Sequence, residues 1–169
     1  MRFYKKMMTA LSVVAATAVI TASAVFAYVP PTSAESACMI DVDTGKILYQ
    51  VNPNKWIHPA STTKIVTFLT ALDKGADRLD KPIKISQEAA ATEPSVLGIS
   101  PKDQLTLREA MRGMMVVSGN DVAVAVAETL AGSVPAYAEM MNAEAAKMGA
   151  THTHFVNPNG LTAPKHYST

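Results

Sequence analysis

Two residues three positions apart, Ser61 and Lys64, could form a nucleophile with its own base. If the apolar run 65–69 that follows them is helical, positions i and i+3 share a face, so the Lys64 amine can reach the Ser61 hydroxyl. Serine is a weak nucleophile until a partner takes its proton, and lysine does so only where burial or nearby positive charge lowers its pKa. The same residues also fit an ordinary helix start, because serine is a common N-cap.

A second polar group, Ser118-Gly119-Asn120, interrupts two apolar segments. Polar groups between buried helices cost free energy unless they are hydrogen-bonded. One explanation is an ordinary helix–helix turn, in which Ser118 forms local hydrogen bonds and Gly119 supplies an unusual backbone angle. The other is a shared site with Ser61 and Lys64, and the occurrence of both groups in one chain favours it.

The segments around Ser61 predict a β-hairpin followed by a helix. Two short runs, 36–42 and 46–51, are apolar or alternating, and the Asp43-Thr44-Gly45 between them is typical of a hairpin turn. A helix is expected over 61–74, with Gly75 ending it. Its apolar residues fall at helical spacing and are expected to face the core: Ile65, Phe68, Leu69 and Leu72.

Two helices should flank the Ser118-Gly119-Asn120 group. Thr106-Leu107-Arg108-Glu109 has the form of a capping box and should open a helix that ends at Val117. Its methionines lie at core spacing: Met111, Met114 and Met115. Asp121 is expected to cap the next helix, 122–131, which is apolar on all sides and should therefore be buried.

The sequence signals for the remaining elements are weaker. A further helix is expected over 135–148, ended by Gly149. Short strands are predicted at 83–86 and 154–156, and a loop at 92–103.

The N-terminus has the composition of an export signal. Arg2, Lys5 and Lys6 precede an uncharged run, 7–27, that ends in small residues, so we expect a signal peptide over 1–27 and an extended linker over 28–35. An uncleaved membrane anchor is the alternative, because about 20 apolar residues can span a bilayer. Either way the folded part is expected outside the cytoplasm.

Charge and cysteine content exclude other classes. Without residues 1–27 the net charge falls from +1 to −2, which leaves no basic stripe for nucleic acid. Cys38 is the only cysteine, so no intrachain disulfide can form. Its apolar neighbours predict a buried, inert thiol.

Three motifs in this order resemble those of the serine D-alanyl-D-alanine carboxypeptidases, which are low-molecular-mass penicillin-binding proteins. The resemblance runs from about residue 36 to residue 169. Its motifs are His58-Pro59-Ala60-Ser61-Thr62-Thr63-Lys64, Val117-Ser118-Gly119-Asn120-Asp121 and His154-Phe155-Val156-Asn157-Pro158-Asn159-Gly160-Leu161.

The resemblance implies a role for each residue of the site. Ser61 matches the nucleophile that attacks the penultimate D-alanine of a peptidoglycan stem peptide, and Lys64 matches its general base. Ser118 matches a proton relay to the leaving D-alanine, and Asn120 matches a residue that binds the substrate backbone and helps hold Lys64. β-Lactams resemble the same substrate and stop at the acyl stage.

The fold implied by the resemblance is α/β: an antiparallel sheet with a helical region, as in serine β-lactamases and D,D-peptidases. The family's third motif, Lys-Thr-Gly, does not follow Asn120 in this sequence. Residues 36–169 are therefore expected to be the N-terminal part of a catalytic domain, without its later strands and without turnover by itself. Membrane association of a whole protein stays open.

Two other functions stay open. A class A-type β-lactamase would need a carboxylate-bearing loop after the second motif, and Ser-Gly-Asn in place of Ser-Asp-Asn argues against it. A non-catalytic module that binds the cell wall is the other alternative.

No metal ion or other cofactor is expected. His152, His154 and His166 lack carboxylate or cysteine partners at ligand spacing. His58 is expected to be structural, and the single tryptophan, Trp56, is expected to be a core anchor.

Overall fold

The computed structural model describes residues 31–169, in which two strands precede five α-helices. The predicted signal peptide, 1–27, lies outside the described residues, as does the start of the predicted linker. Residues 31–34 have no regular secondary structure, and a compact unit runs over Glu35–Thr169.

The predicted hairpin is confirmed. Strands β1 (Ala37–Ile40) and β2 (Ile47–Val51) pair antiparallel, with Ala37 opposite Val51. Asp41 organises the turn between them: its backbone oxygen accepts from the N–H of Gly45 at 2.8 Å, and its carboxylate accepts from Thr44. Gly45 takes φ 68°, the left-handed region that glycine adopts without strain.

The prediction of a buried Cys38 is wrong. Cys38 lies in β1 and is exposed, as are Met39 and Ile40 beside it. An apolar sequence is buried only where another layer covers its face, and no such layer covers Cys38 in the part of the chain that the structure describes.

The first helix has nearly the predicted bounds but a different orientation. A 3₁₀ turn, Ala60–Thr62, leads into α1 (Thr63–Gly75). The expected core face is wrong for three of its four residues: Ile65 is 53% exposed, Leu69 and Leu72 are exposed, and Phe68 is partly buried. The buried residues are instead Thr63, Lys64, Thr67, Thr70, Ala71 and Gly75.

The capping box is confirmed at the start of α3 (Leu107–Val117), which follows a short helix, α2 (Gln87–Ala90). Thr106 accepts from the N–H of Glu109 at 3.2 Å, and the Glu109 carboxylate accepts from the N–H of Thr106 at 2.8 Å. Of the three methionines at core spacing, Met111 and Met114 are buried and Met115 is half-exposed.

The centre of the core is α4 (Asn120–Ala131), which packs against α1, α2, α3 and α5 (Val134–Lys147). Residues 122–127 are all buried, as the apolar pattern predicts. The predicted strand at 83–86 is wrong, since only Pro82, just before it, forms a single bridge, with Thr106. The predicted strand at 154–156 is reduced to one bridge, between His154 and Tyr167. None of the helices in residues 31–169 is long and apolar enough to cross a membrane.

Candidate active site

Lys64 is the centre of a buried polar network. Its side chain is 2% exposed, and its Nζ donates to Asn120 Oδ1 at 2.7 Å, to the backbone oxygen of Asn159 at 2.7 Å and to Ser61 Oγ at 3.3 Å. Burial lowers the pKa of Lys64, because removal from water disfavours the ammonium form. Within the described residues no carboxylate pairs with Nζ to oppose that effect.

The chain enters α1 in a way that exposes Ser61 and buries Lys64. Ser61 lies in the 3₁₀ turn and is exposed, whereas Lys64 is in the first turn of α1. The cap positions of these two elements are Pro59 and Thr62, and neither gives a side-chain cap hydrogen bond. Ser61 is therefore not an N-cap, and its hydroxyl faces Lys64 instead.

The backbone just before Ser61 is strained. Ala60 takes φ 47°, in the left-handed region that residues with a Cβ seldom adopt. Gly160 packs directly against this residue: a Cβ added to Gly160 would lie 1.9 Å from the Ala60 backbone oxygen. Strained backbone persists only where surrounding structure enforces it, and here the chain around Gly160 supplies that contact.

Asn120, the first residue of α4, links Lys64 to a loop. Its Nδ2 donates to the backbone oxygen of Pro94, and its backbone N–H donates to Ser95 O at 2.7 Å. Because the Pro94 carbonyl only accepts, the amide nitrogen must face the loop and the amide oxygen must face Lys64. The Asn120 side chain thus has one orientation, which suits it to accept from Lys64.

Asp121 has a role that the sequence pattern misassigns. The N-cap of α4 is Gly119, so the expected capping by Asp121 is wrong. The buried carboxylate instead accepts from the backbone N–H groups of Leu97, Gly98 and Ile99, at 2.8 to 3.2 Å, as well as from Val122. Asn120 and Asp121 together fix the 94–99 loop against the start of α4.

Ser118 occupies the turn between α3 and α4. It takes φ 58°, and its Oγ is buried with no hydrogen-bond partner among the described residues. A buried hydroxyl without a partner costs free energy, about 1–3 kcal/mol. Ser118 lies two positions before Asn120, and no direct hydrogen bond joins it to Ser61 or Lys64 in the part of the chain described.

The loop over 157–160 completes the network, and from the sequence it is identified only as part of the third motif. Asn157 Oδ1 accepts from the Gly160 N–H at 2.8 Å, and Asn159 Oδ1 accepts from Leu161 N–H at 3.0 Å. The backbone oxygen of Pro158 accepts from Thr67 Oγ1 at 2.6 Å. These contacts hold the Asn159 carbonyl against Lys64. A backbone acceptor leaves no side-chain signature, which is why its role was missed.

The histidines do not assemble a metal site: among the described residues, no three His, Cys, Asp or Glu side chains cluster. His58 Nδ1 donates to the backbone oxygen of His166 at 3.1 Å. The expectation that Trp56 is a core anchor is wrong, because it is 63% exposed. Its ring stacks on Tyr167 at 4.3 Å, beside a cavity of about 360 Å³ that Lys165 also lines.

This geometry allows a specific proton transfer. An ammonium at Lys64 can donate to all three neighbours, but a neutral amine has two N–H donors and one lone pair. The carbonyl oxygens of Asn120 and Asn159 can only accept, so they take the two N–H groups. The lone pair is then left for Ser61, the longest of the three contacts.

Comparison with known proteins gives one consistent result. A family model described as D-alanyl-D-alanine carboxypeptidase (Peptidase S11) matches residues 23–169. D-alanyl-D-alanine carboxypeptidase DacF from Bacillus subtilis is 41% identical over 139 residues, which are 80% of this chain and 36% of that protein.

Solved structures agree. D-alanyl-D-alanine carboxypeptidase DacD from Francisella tularensis superposes with a TM-score of 0.78 at 34% identity, covering 84% of this chain and 35% of that one. Penicillin binding protein 5 from Haemophilus influenzae gives 0.76 at 32% identity, covering 84% and 43%. The predicted fold class is therefore confirmed, while the chain spans about a third of the length of the curated relatives it matches.

Proposed function

This chain belongs to the D-alanyl-D-alanine carboxypeptidase family, and from that premise we propose that its protein removes the terminal D-alanine of peptidoglycan stem peptides through an acyl-enzyme on Ser61. The contact between Lys64 Nζ and Ser61 Oγ carries the proposal. It joins an exposed hydroxyl to a buried amine whose pKa is lowered, and these are the two properties that an activated serine needs.

In the first step, neutral Lys64 takes the Ser61 proton while Oγ bonds to the carbonyl carbon of the penultimate D-alanine. The carbonyl oxygen becomes an oxyanion, and the Ser61 N–H is a suitable donor to it, because the first N–H groups of a helical turn have no partner within the helix. The C–N bond to the terminal D-alanine then breaks, and its nitrogen receives the proton through the Ser118 hydroxyl.

In the second step, water attacks the ester and releases the shortened peptide, and Ser61 regains its proton. Asn120 supports both steps by accepting from Lys64 and by hydrogen bonding the substrate backbone. Ser118 suits the relay because its Oγ has no partner among the described residues, so a substrate nitrogen meets no competing bond. A β-lactam would acylate Ser61 in the same way and remain attached.

The test uses the whole protein with a fluorescent penicillin and a peptide ending in D-alanyl-D-alanine. The expected results are a covalent adduct on Ser61, located by mass spectrometry of the digested protein, and release of D-alanine. Ser61→Ala should remove both, and Lys64→Met should slow both by about 100-fold or more, the usual cost of losing a general base. Ser36→Ala, at the start of the hairpin, is the matched control and should change neither.

The alternatives give different results. A class A-type β-lactamase would release the penicillin adduct within seconds, accumulate hydrolysed antibiotic and leave the peptide intact. A non-catalytic wall-binding module would bind peptidoglycan without labelling Ser61. Labelling that persists in Ser61→Ala would contradict the proposed nucleophile.

Export across the cytoplasmic membrane is part of the same proposal. It is supported by Arg2, Lys5 and Lys6 ahead of the uncharged 7–27 run, and by a substrate that lies in the cell wall. The N-terminal sequence of protein recovered from the cell envelope tests it. Mature protein should begin at Tyr28, whereas a retained N-terminus would indicate a membrane anchor.

A further inference from the structure

His166 occupies a position that the acyl-transfer steps do not use. Its side chain is 1% exposed and lies between two segments of the site. One ring nitrogen, Nε2, is 3.0 Å from Thr63 Oγ1 in α1, and the other, Nδ1, accepts from the Val156 N–H at 3.2 Å. The ring also meets Phe155 edge-on, with centroids 5.5 Å apart.

These contacts define which form of the imidazole is present. A backbone N–H can only donate, so Nδ1 must carry a lone pair. The proton of a neutral ring is then on Nε2, which donates to the Thr63 hydroxyl. A protonated ring would place a second N–H against that of Val156, and the hydrogen bond would be lost.

The two partners of His166 belong to the two segments that hold Lys64 and one of its acceptors. Thr63 lies between Ser61 and Lys64 in the chain, and its backbone N–H donates to Ala60 O in the strained turn. Val156 begins the segment that carries the Asn159 carbonyl, one of the acceptors of Lys64. A single imidazole therefore connects the helix that holds the amine to the segment that holds its acceptor.

We propose that His166 is a positioning residue for Ser61 and Lys64: as a neutral Nε2–H imidazole, it fixes α1 against the 156–160 segment and keeps the Lys64 amine between Ser61 Oγ and Asn159 O. The inference rests on the proposed acyl transfer, because that reaction is what the fixed geometry serves. His166 touches no reacting atom and acts through Thr63 and Val156.

The surroundings of His166 oppose its protonation. Four titratable side chains on the segments around His166 are basic: His58, Lys64, His154 and Lys165. Two are not: Tyr167 follows His166 in the chain, and Glu139 lines a cavity together with Phe155 and Val156. Burial lowers the pKa of His166, and His58 and His154 lower it further. Acid that protonates the ring removes the Val156 hydrogen bond and should release the Ser61–Lys64 geometry.

The first test compares Thr63→Val with Thr63→Ser. Valine keeps the shape of threonine but removes the acceptor of His166, whereas serine keeps that acceptor. In the whole protein, Thr63→Val should lower the maximal rate of Ser61 acylation by fluorescent penicillin about 10- to 100-fold, the usual cost of misplaced reacting groups. The penicillin concentration that gives half-maximal rate should stay the same. Thr63→Ser should stay within about threefold of the unaltered protein.

The second test measures the tautomer of the His166 ring and does not depend on activity. ¹⁵N NMR of the histidine rings should show His166 as the Nε2–H tautomer at neutral pH, and its ring should take up a proton at lower pH than the rings of the urea-unfolded protein. An Nδ1–H tautomer would overturn the proposal.

The outcomes separate the two proposals. Normal acylation in Thr63→Val, with labelling of the unaltered protein intact, would overturn the positioning role and leave the proposed function standing. Absence of labelling in the unaltered protein would overturn both. Circular dichroism at the assay temperature ensures that slow acylation is not read from an unfolded variant.

Discussion

Helices α1 and α4 pack against each other yet bury opposite kinds of side chain. α4 buries an unbroken apolar stretch, 122–127, as the hydrophobic effect favours. α1 buries Thr63, Lys64 and Thr67, while Ile65 on the same helix is exposed. Thr63, Lys64 and Thr67 are tolerated there because each has hydrogen-bond partners, on His166, Asn159 and Pro158 among others. The buried Thr70 Oγ1 of the same helix has none among the described residues.

The difference shows what fixes each helix. Beyond its first two residues, Asn120 and Asp121, α4 is positioned by the volume and apolar area of its buried side chains. α1 is positioned by specific donors and acceptors, and a polar group buried without its partner costs about 1–3 kcal/mol. Lys64 lies in α1 and Ser61 in the turn that leads into it, so small shifts of α1 would break their hydrogen bond.

The largest expected effect comes from Gly160→Ala, which adds a Cβ where Gly160 packs against Ala60, at the entry to α1. The new Cβ would lie 1.9 Å from Ala60 O, a backbone atom that cannot move aside cheaply. We expect a loss of about 4 kcal/mol or more in the free energy of unfolding, measured by urea denaturation. Gly149→Ala is the matched control: its φ is also positive, at 80°, but nothing lies within 4 Å, so about 1 kcal/mol is expected. Equal losses would mean that the collision is relieved.

The next largest difference between α4 and α1 should be in the stability lost when an apolar side chain is truncated. Val126→Ala in α4 leaves a cavity at a fully buried position and should cost about 2 kcal/mol. Ile65→Ala in α1 removes more atoms but from an exposed position, and should cost less than about 0.5 kcal/mol. Urea denaturation measures both. A larger loss for Ile65→Ala would mean that this face of α1 is covered in solution.

A third pair of substitutions makes a buried polar residue of α1 apolar and a buried apolar residue of α4 polar. Thr67→Val keeps the shape but removes the donor to Pro158 O, and should cost about 1–2 kcal/mol. Val126→Thr places a hydroxyl among apolar neighbours and should cost a similar amount. Thermal unfolding of the pair is the measurement. If Thr67→Val stabilised the fold, hydrogen bonding would not be what positions α1.

The smallest expected effect is that mild acid weakens the contact between His166 and α1. His166 has a lowered pKa in the folded state, so below 6.5 the unfolded chain takes up a proton that the folded chain refuses. Stability is therefore lost as pH falls from 6.5, by at most about 1.4 kcal/mol per unit from this residue, until the folded ring also protonates. Urea denaturation between pH 5 and 7 should show a shallower dependence of stability on pH for His166→Gln than for the unaltered protein. Parallel slopes for the two proteins would contradict this.

Local patterns predicted most of the secondary structure. The Asp43-Thr44-Gly45 turn, the capping box at Thr106 and the apolar period of α4 depend on neighbours in sequence, and the structure confirms all three. The predictions that Ile65 and Cys38 are buried were wrong, because a period shows that a face is apolar but not what covers it.

In the site, too, some features follow from the local sequence and others do not. The spacing of Ser61 and Lys64 by itself determines that a hydroxyl and an amine share one helical face, since three residues make about one turn. Their assignment together with Asn120 came from the order of motifs, and the 2.7 Å contact between Lys64 and Asn120 is in accord with it.

Only the tertiary structure decided how Lys64 is held. Its burial, the Asn159 carbonyl, the close approach of Gly160 to Ala60 and the His166 bridge all join segments about 100 positions apart in the chain. Every residue has a backbone carbonyl, and the exclusion of water depends on packing, so a sequence pattern shows neither. The sequence thus identifies the candidate groups, Ser61 and Lys64, and the packing of distant segments buries Lys64 and lowers its pKa.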